Sequence, residues 1–187
     1  MCEGEGLKNC FVFRYLGSLF SADGSEDKDV KRRVAMAVGR CGKLRHVMQS
    51  SHIPLVTKIK IYKCAVGSLF TYGSEAWCLS EKCKRRLNGA NVGCLFRFTG
   101  KSRVEESRGS TCSYSLVKDI RRRRLIWLGH ILRMEGSRLV KVAARVQWEM
   151  GMKGSLFSDA PNQMGFGELC VLAGERESWR SLVRGLN

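Results

Sequence analysis

Apolar residues recur at intervals of three and four positions through most of the chain after residue 25, and this spacing predicts a mainly α-helical fold. Ser25 and Ser80 are expected to cap helices, and Pro54 fits the first turn of another helix, where its missing N–H costs nothing. The predicted helices cover approximately residues 25–51, 54–71, 80–99, 116–134, 139–148, 166–173 and 175–186.

The beginning of the chain has a different pattern. Residues 10–20 are dense in aromatic and apolar residues and lead into an Asp23-Gly24 turn signal, which predicts a strand or a hairpin. The polar residues 100–112 predict a linker. The expected organisation is therefore a hairpin in 1–24, a helical bundle in 25–99, a linker in 100–115 and a second small helical region in 116–187.

The segment Asp119–Met134 combines four consecutive arginines with a dense apolar run. At 100° per residue Ile120, Trp127 and Ile131 share one face, so we expect Trp127 in the core. The expected positions of the basic residues are as follows: Arg122 and Arg133 on the opposite side, Arg123 and His130 along its edge, and Arg121 and Arg124 toward the apolar arc. The last two then need a partner, a path to solvent for the charged group, or a ligand.

The overall charge favours a polyanionic partner. Lysine and arginine number 33 against 17 acidic residues, for a formal net charge of +16. Nucleic acid is the first candidate and an anionic membrane surface the second. The arginine run alone also fits a solvated helix face or a nuclear-import signal, and these interpretations remain open.

Motifs for catalysis, metal binding and secretion are missing from the sequence. It contains no phosphate-binding GxxxxGK[ST] loop, no GxSxG and no HExxH. Nine cysteines include no CxxC pair, so a zinc site at Cys78 and Cys83 is the least favoured hypothesis, and most cysteines are expected to be buried in a reducing compartment. No signal peptide and no apolar run of about 20 residues is present, which predicts an intracellular protein that does not span a membrane.

Several segments follow one another in a characteristic order: Phe13–Ser18 with Phe20–Gly24, Thr57-Lys58 with Tyr62, Tyr72–Trp77, Arg122–His130 with Arg133-Met134, and Ala173–Arg180. In this order they resemble the region after the polymerase core of non-LTR retrotransposon (LINE-type) reverse transcriptases. The resemblance implies that Tyr15, Leu16 and Gly17 form the primer grip beside the 3′ end of a primer. It further implies that the following helices form the thumb along a template–primer duplex, and that Arg122–His130 lies beyond the thumb.

The family's catalytic aspartates are absent from this sequence. The parent enzyme would use Mg²⁺ on an aromatic-x-Asp-Asp turn, and the chain contains no Asp-Asp pair. We therefore expect no polymerase activity and no cofactor in this chain. The stretch Met150–Gly154 is also less basic than the corresponding segment of many relatives.

Three functional hypotheses follow. The first is a truncated reverse transcriptase that binds RNA or DNA, with an RNA–DNA template–primer duplex as the expected partner. The second is a nonfunctional remnant whose hairpin aromatics Phe11, Phe13 and Phe20 lack cover, and the third is a co-opted helical DNA-binding protein. The predicted nucleic-acid contacts are Tyr15, Leu16, Gly17, Lys58, Lys60, Arg121, Arg122, Arg123, Arg124, His130 and Arg133.

Overall fold

The computed structural model describes residues 10–99, 115–151, 157–161 and 163–185, so nearly all of the predicted linker lies outside the described residues. A two-stranded antiparallel hairpin precedes a series of helices, which confirms the predicted mainly α fold. The strands are β1 (Val12–Tyr15) and β2 (Ser18–Ser21). The helices are α1 (Asp27–Lys43), α2 (Arg45–Gln49), α3 (Leu55–Tyr62), α4 (Ser68–Thr71), α5 (Glu81–Thr99), α6 (Leu116–Leu132), α7 (Leu139–Glu149), α8 (Phe166–Gly174) and α9 (Arg176–Arg184).

Short irregular turns connect several of these helices. A π-helical turn, Lys63–Gly67, joins α3 to α4, and a 3₁₀ turn follows at Ser74–Ala76. The first predicted helix ends at Lys43 and a short second helix follows. Ser80 caps α5 as predicted, since its Oγ accepts a hydrogen bond from the Cys83 N–H at 3.3 Å. The helix boundaries therefore follow the hydrophobic pattern to within a few residues.

The hairpin turn is tight. Leu16 and Gly17 both have positive φ, at 46° and 83°, as a two-residue turn with the twist of paired strands requires. Phe13 lies opposite Phe20 across the strands, and the exposed fractions of these side chains are 55% and 51%. Phe11 is 81% exposed. The described part of the chain therefore leaves the aromatic face of the hairpin exposed.

Polar contacts dock the other side of the hairpin on α1. Asp29 Oδ1 accepts the Leu19 N–H at 3.1 Å, and Arg33 Nη2 donates to the Gly17 carbonyl at 2.5 Å. Asp29 and Arg33 are only 1% and 4% exposed and form an ion pair at 3.7 Å. Asp29 lies in the first turn of α1, where its charge also favours the helix dipole. The two buried side chains therefore balance each other's charge where the hairpin contacts α1.

Two hydrophobic clusters form the core of the described residues, and α6 belongs to both. The N-terminal part of α6 packs on α4 and α5, and its Leu116 and Ile120 belong to the cluster that also contains residues of α1 and α3. The remainder of α6, from Leu125 onward, packs with α7, α8 and α9. Consequently α6 joins the two predicted helical regions. In the described part of the chain, every helix is too short or too polar to cross a bilayer.

Candidate nucleic-acid interface

The orientation of α6 decides which of its basic residues reach solvent. Ile120, Leu128 and Ile131 are at most 2% exposed and mark its buried side. Trp127 is 42% exposed, so the prediction that it belongs to the core was wrong. Trp127 precedes Leu128 by one position, or about 100° of rotation, which moves it to the margin of the buried arc. Ile126, one position earlier, is 51% exposed.

Arg121 and Arg124 face the buried side and have internal partners. Arg124 is 5% exposed, and its guanidinium donates to the Trp77 carbonyl at 2.6 Å and to Asp159 Oδ2 at 3.1 Å. Arg121 Nε lies 2.7 Å from Asp159 Oδ1. We therefore withdraw Arg124 as a phosphate contact. Arg121 retains 47% exposure of its side chain but is committed to the same carboxylate.

Three adjoining grooves cover the outer side of α6 and extend to the hairpin. The hairpin groove, about 600 Å³, is lined by Tyr15 and Leu16 at one end and by Arg123 at the other. The central groove, about 1190 Å³, lies between α6 and the chain from Lys63 to Thr71. It shares Arg123 with the hairpin groove. The arginine groove, about 450 Å³, lies between α6 and α9. The central and arginine grooves share a strip of α6 residues: Arg122, Ile126, His130 and Arg133.

The arginine groove is strongly basic. None of its lining residues in the described part of the chain is acidic, and the lining arginines are Arg122, Arg133, Arg176, Arg180 and Arg184. The pKa of Arg133 is lowered, first by burial and then by the positive charges of Arg176 and Arg180. Arg180 also contacts the exposed Glu177. The like charges are held close together here, an arrangement that attracts a polyanion.

Charge in the central groove is mixed. Arg122, Arg123 and Arg133 line it together with Glu75 and Asp119. Arg123 Nη1 lies 3.6 Å from Glu75 Oε1, an ion pair that is partly exposed on both sides. The floor of this groove carries the Trp127 ring, and the His130 ring lies beside it with 5.7 Å between centroids. The groove therefore combines cations with an accessible aromatic surface.

A close contact with α6 fixes the position of α9. The Trp179 indole lies directly against Gly129, where a Cβ atom would stand 2.2 Å from Trp179 Nε1. That Nε1 donates to the Leu125 carbonyl at 3.0 Å. Trp179 belongs to the segment Ala173–Arg180 and Gly129 to Arg122–His130. Both segments belong to the resemblance described above, and they meet in this contact. The contact positions the basic residues of α9 beside α6.

Only some of the residues predicted from the sequence lie together. Tyr15, Leu16, Arg122, Arg123, His130 and Arg133 line the three grooves. The Gly17 carbonyl already accepts hydrogen bonds from arginines of α1. Lys58 Nζ donates to the Met48 carbonyl at 2.7 Å. Lys60 is exposed outside these grooves. Arg133 also donates to the Ala173 carbonyl at the end of α8, at 3.1 Å.

The sequence interpretation missed Trp127 as a groove residue and the arginines of α9. The signal for α9 was available, because Arg176, Arg180 and Arg184 recur every four positions and therefore share a helix face. No comparable signal existed for Trp127. Its exposure depends on the packing of the π-helical turn Lys63–Gly67 and of α4, which leave an open groove in front of it.

Metal chemistry receives no support from the described residues, which contain no group of three potential ligands. Cys78 is exposed and Cys83 is buried, and both are free thiols. Of the seven described cysteines, which are all free, only Cys41, Cys83 and Cys94 are buried, so burial of most cysteines is not found among the described residues. Comparison of the chain with protein-family models, curated proteins and solved structures found no match.

Proposed function

We propose that this chain binds nucleic acid through the three adjoining grooves, as the primer-grip, thumb and post-thumb portion of a LINE-type reverse transcriptase, and that it carries no polymerase active site of its own. The arginine groove is the observation that best supports the proposal. Five arginines line it without an acidic lining residue. Phosphates would neutralise these charges and release condensed counterions, which is the main source of affinity for nucleic acid.

An RNA–DNA template–primer duplex is the proposed partner. The hairpin turn and the arginines of α6 and α9 lie along one connected surface, since the hairpin groove adjoins the central groove at Arg123. A surface of this kind can follow a phosphate backbone over several nucleotides. Contacts to phosphates position a nucleic acid without identifying its bases, so we expect little sequence preference.

A co-opted DNA-binding protein that inserts α6 into a major groove has less support. A recognition helix must protrude far enough to enter a groove about 12 Å wide. In contrast, α6 packs against α4, α5, α7, α8 and α9, so neighbouring helices cover much of its surface. The second hypothesis, a nonfunctional remnant, predicts a chain without a cooperative thermal transition, and circular dichroism would test this prediction.

The decisive measurement is the salt dependence of binding to a short RNA–DNA duplex, followed by fluorescence anisotropy. Each neutralised phosphate adds about 0.9 to the slope of log affinity against log salt. Two such contacts already predict an approximately tenfold weaker affinity at about 200 mM salt than at about 50 mM. An affinity that does not change with salt would contradict the proposal.

Charge-neutralising variants locate the interface. Arg122→Gln and Arg176→Gln should each weaken binding and reduce the salt slope by about 1, because each removes one phosphate contact from the grooves. Lys60→Gln is the matched control, since it removes the same charge from an exposed position outside the grooves. A larger effect of Lys60→Gln than of the two arginine variants would locate the interface on the side of α3 instead.

A further inference from the structure

We infer that the central groove accepts an unpaired nucleobase stacked on Trp127, so that the chain binds single-stranded RNA or DNA in preference to blunt duplex of the same length. The inference rests on the proposed nucleic-acid function and specifies which form of nucleic acid the site takes. Its starting point is the one clear disagreement between the hydrophobic pattern of α6 and its packing, the exposed position of Trp127.

Trp127 differs from two other tryptophans that the structure describes. Trp77 and Trp179 are 4% and 3% exposed, and their indole N–H groups donate to Asp29 and to the Leu125 carbonyl. These two side chains connect elements of the core. Trp127 is 42% exposed and faces a groove of about 1190 Å³. A large aromatic ring in an open, concave position is a suitable platform for another planar ring.

The neighbouring ring extends this platform. His130 lies one helical turn after Trp127, with 5.7 Å between the ring centroids and 35° between the ring planes. The two rings therefore form a continuous aromatic surface on the groove side of α6. Aromatic side chains of this kind bind bases with little sequence preference, because every base presents a π face.

The opposite wall leaves space for a planar group. Cys64, Gly67 and Ser68 line it, and all three have small side chains. This wall includes the π-helical turn Lys63–Gly67, a rare conformation that occurs frequently at functional sites. The volume of the groove exceeds the roughly 300–1,000 Å³ that is usual for small-molecule pockets. A nucleotide with part of its backbone would fit.

The concave shape favours an unpaired base over a paired one. Inside a duplex both faces of each base are covered by neighbouring bases, so a ring on the floor of a groove can stack only on a base that has left the stack. The phosphates beside such a base would meet Arg122 and Arg133, which lie on the strip shared with the arginine groove. A single strand therefore satisfies both the aromatic and the cationic parts of the site.

The test compares unstructured single strands of about 12 nucleotides, as RNA and as DNA, with a blunt RNA–DNA duplex of equal length. Fluorescence anisotropy should show tighter binding of the single strands. Trp127→Leu should weaken single-strand binding on the order of tenfold and leave duplex binding unchanged, because it removes only the stacking surface. Trp127→Phe keeps a ring and should retain most of the affinity. Equal losses for RNA and DNA are expected, since stacking does not distinguish the sugars.

Phe96→Leu is the matched control, because Phe96 carries a half-exposed aromatic ring that lies outside the three grooves. It should leave both affinities unchanged. If Trp127→Leu binds single strands as well as the wild type does, while Arg122→Gln weakens binding of all probes, the stacking inference is wrong and the proposed function stands. If the folded wild-type chain binds neither single strands nor duplex, the proposed function fails and the inference fails with it.

Discussion

The two sides of α6 carry the same kind of residue in opposite circumstances. On the inner side, Arg124 is almost completely buried and shares the Asp159 carboxylate with Arg121. On the outer side, Arg122 and Arg133 line a groove in which α9 contributes further arginines. Arg122 and Arg124 are two positions apart in the sequence, which is about 200° around a helix.

The difference shows that the available counter-charge, rather than the residue type, decides what an arginine does. A buried guanidinium must regain the hydrogen bonds and the opposite charge that it loses on leaving water. Asp159, the Ser158 hydroxyl and the Trp77 carbonyl supply them for the two terminal nitrogens of Arg124, while its buried Nε has no hydrogen-bond partner among the described residues. The outer arginines remain hydrated at the surface. Their positive charges repel one another until an anion binds. These arginines therefore contribute to the affinity for an anion and not to the stability of the fold.

The largest predicted difference between the two sides of α6 is in how much an arginine substitution lowers the free energy of unfolding. Arg124→Leu should lower the free energy of unfolding by about 3 kcal/mol, toward the lower end of the range for broken buried ion pairs. Asp159 would keep Arg121 as a partner, which limits the loss. The measurement is urea unfolding followed by circular dichroism, with the m-value compared to detect any change in the folded state.

Arg122→Leu is the control on the same helix. Arg122 is exposed and lies on the outer side, so the change in the free energy of unfolding should stay within about 0.5 kcal/mol. Similar losses for Arg122→Leu and Arg124→Leu would mean that the two sides do not differ in the proposed way.

A second comparison concerns the contact that holds α9 against α6. Gly129→Ala should lower the free energy of unfolding by about 1–2 kcal/mol, because the added Cβ would overlap the Trp179 indole and the gain in helix propensity offsets only part of that cost. It should also weaken nucleic-acid binding, since the arginines of α9 would be displaced from the groove. Urea unfolding and anisotropy measure the two effects.

Gly39→Ala provides the control with the opposite sign. Gly39 is inside α1, and a Cβ there would meet no atom within 4 Å. The substitution should therefore raise the free energy of unfolding by about 0.5–1 kcal/mol through helix propensity and the unfolded state. Stabilisation by Gly129→Ala as well would contradict the role assigned to the Trp179 contact.

Periodicity predicted the helices because apolar spacing is a local property that survives without knowledge of the partner elements. It also located the hairpin through the aromatic run, whereas the Asp23-Gly24 turn signal follows β2 and the turn between the strands is at Leu16-Gly17. Asp29 and Arg33 show where such reasoning ends. Their burial depends on the hairpin folding back onto α1, a contact between residues 10 to 16 positions apart with no repeating pattern.

The same limit applied to the candidate site. The helical projection of α6 correctly separated Arg122 and Arg133 from the apolar arc, and it showed that Arg121 and Arg124 needed partners. It could not identify Asp159, which lies 35 positions from Arg124. It also could not show that the π-helical turn Lys63–Gly67 and α4 leave a groove in front of Trp127. Side-chain exposure at the margin of a helical arc depends on the neighbouring elements.

The smallest predicted effect is the loss of stability that the outer arginines cause in the chain without a bound anion. Arg176 begins α9, where a positive charge opposes the helix dipole, and it precedes Arg180 by four positions. Arg176→Gln should therefore raise the free energy of unfolding by about 0.5 kcal/mol at low salt, and less at high salt, because salt screens both repulsions. The same variant should bind nucleic acid more weakly.

Arg97→Gln is the matched control, because Arg97 lies in the last turn of α5, where a positive charge is favourable. It should lower the free energy of unfolding by about 0.3 kcal/mol, again measured in urea at two salt concentrations. Opposite signs for the two substitutions would show that the outer arginines are retained at the expense of stability, as expected of binding residues. A loss of stability in Arg176→Gln would instead show that an attraction within the chain holds Arg176. The contrast with Arg124, a residue retained for folding, would then disappear.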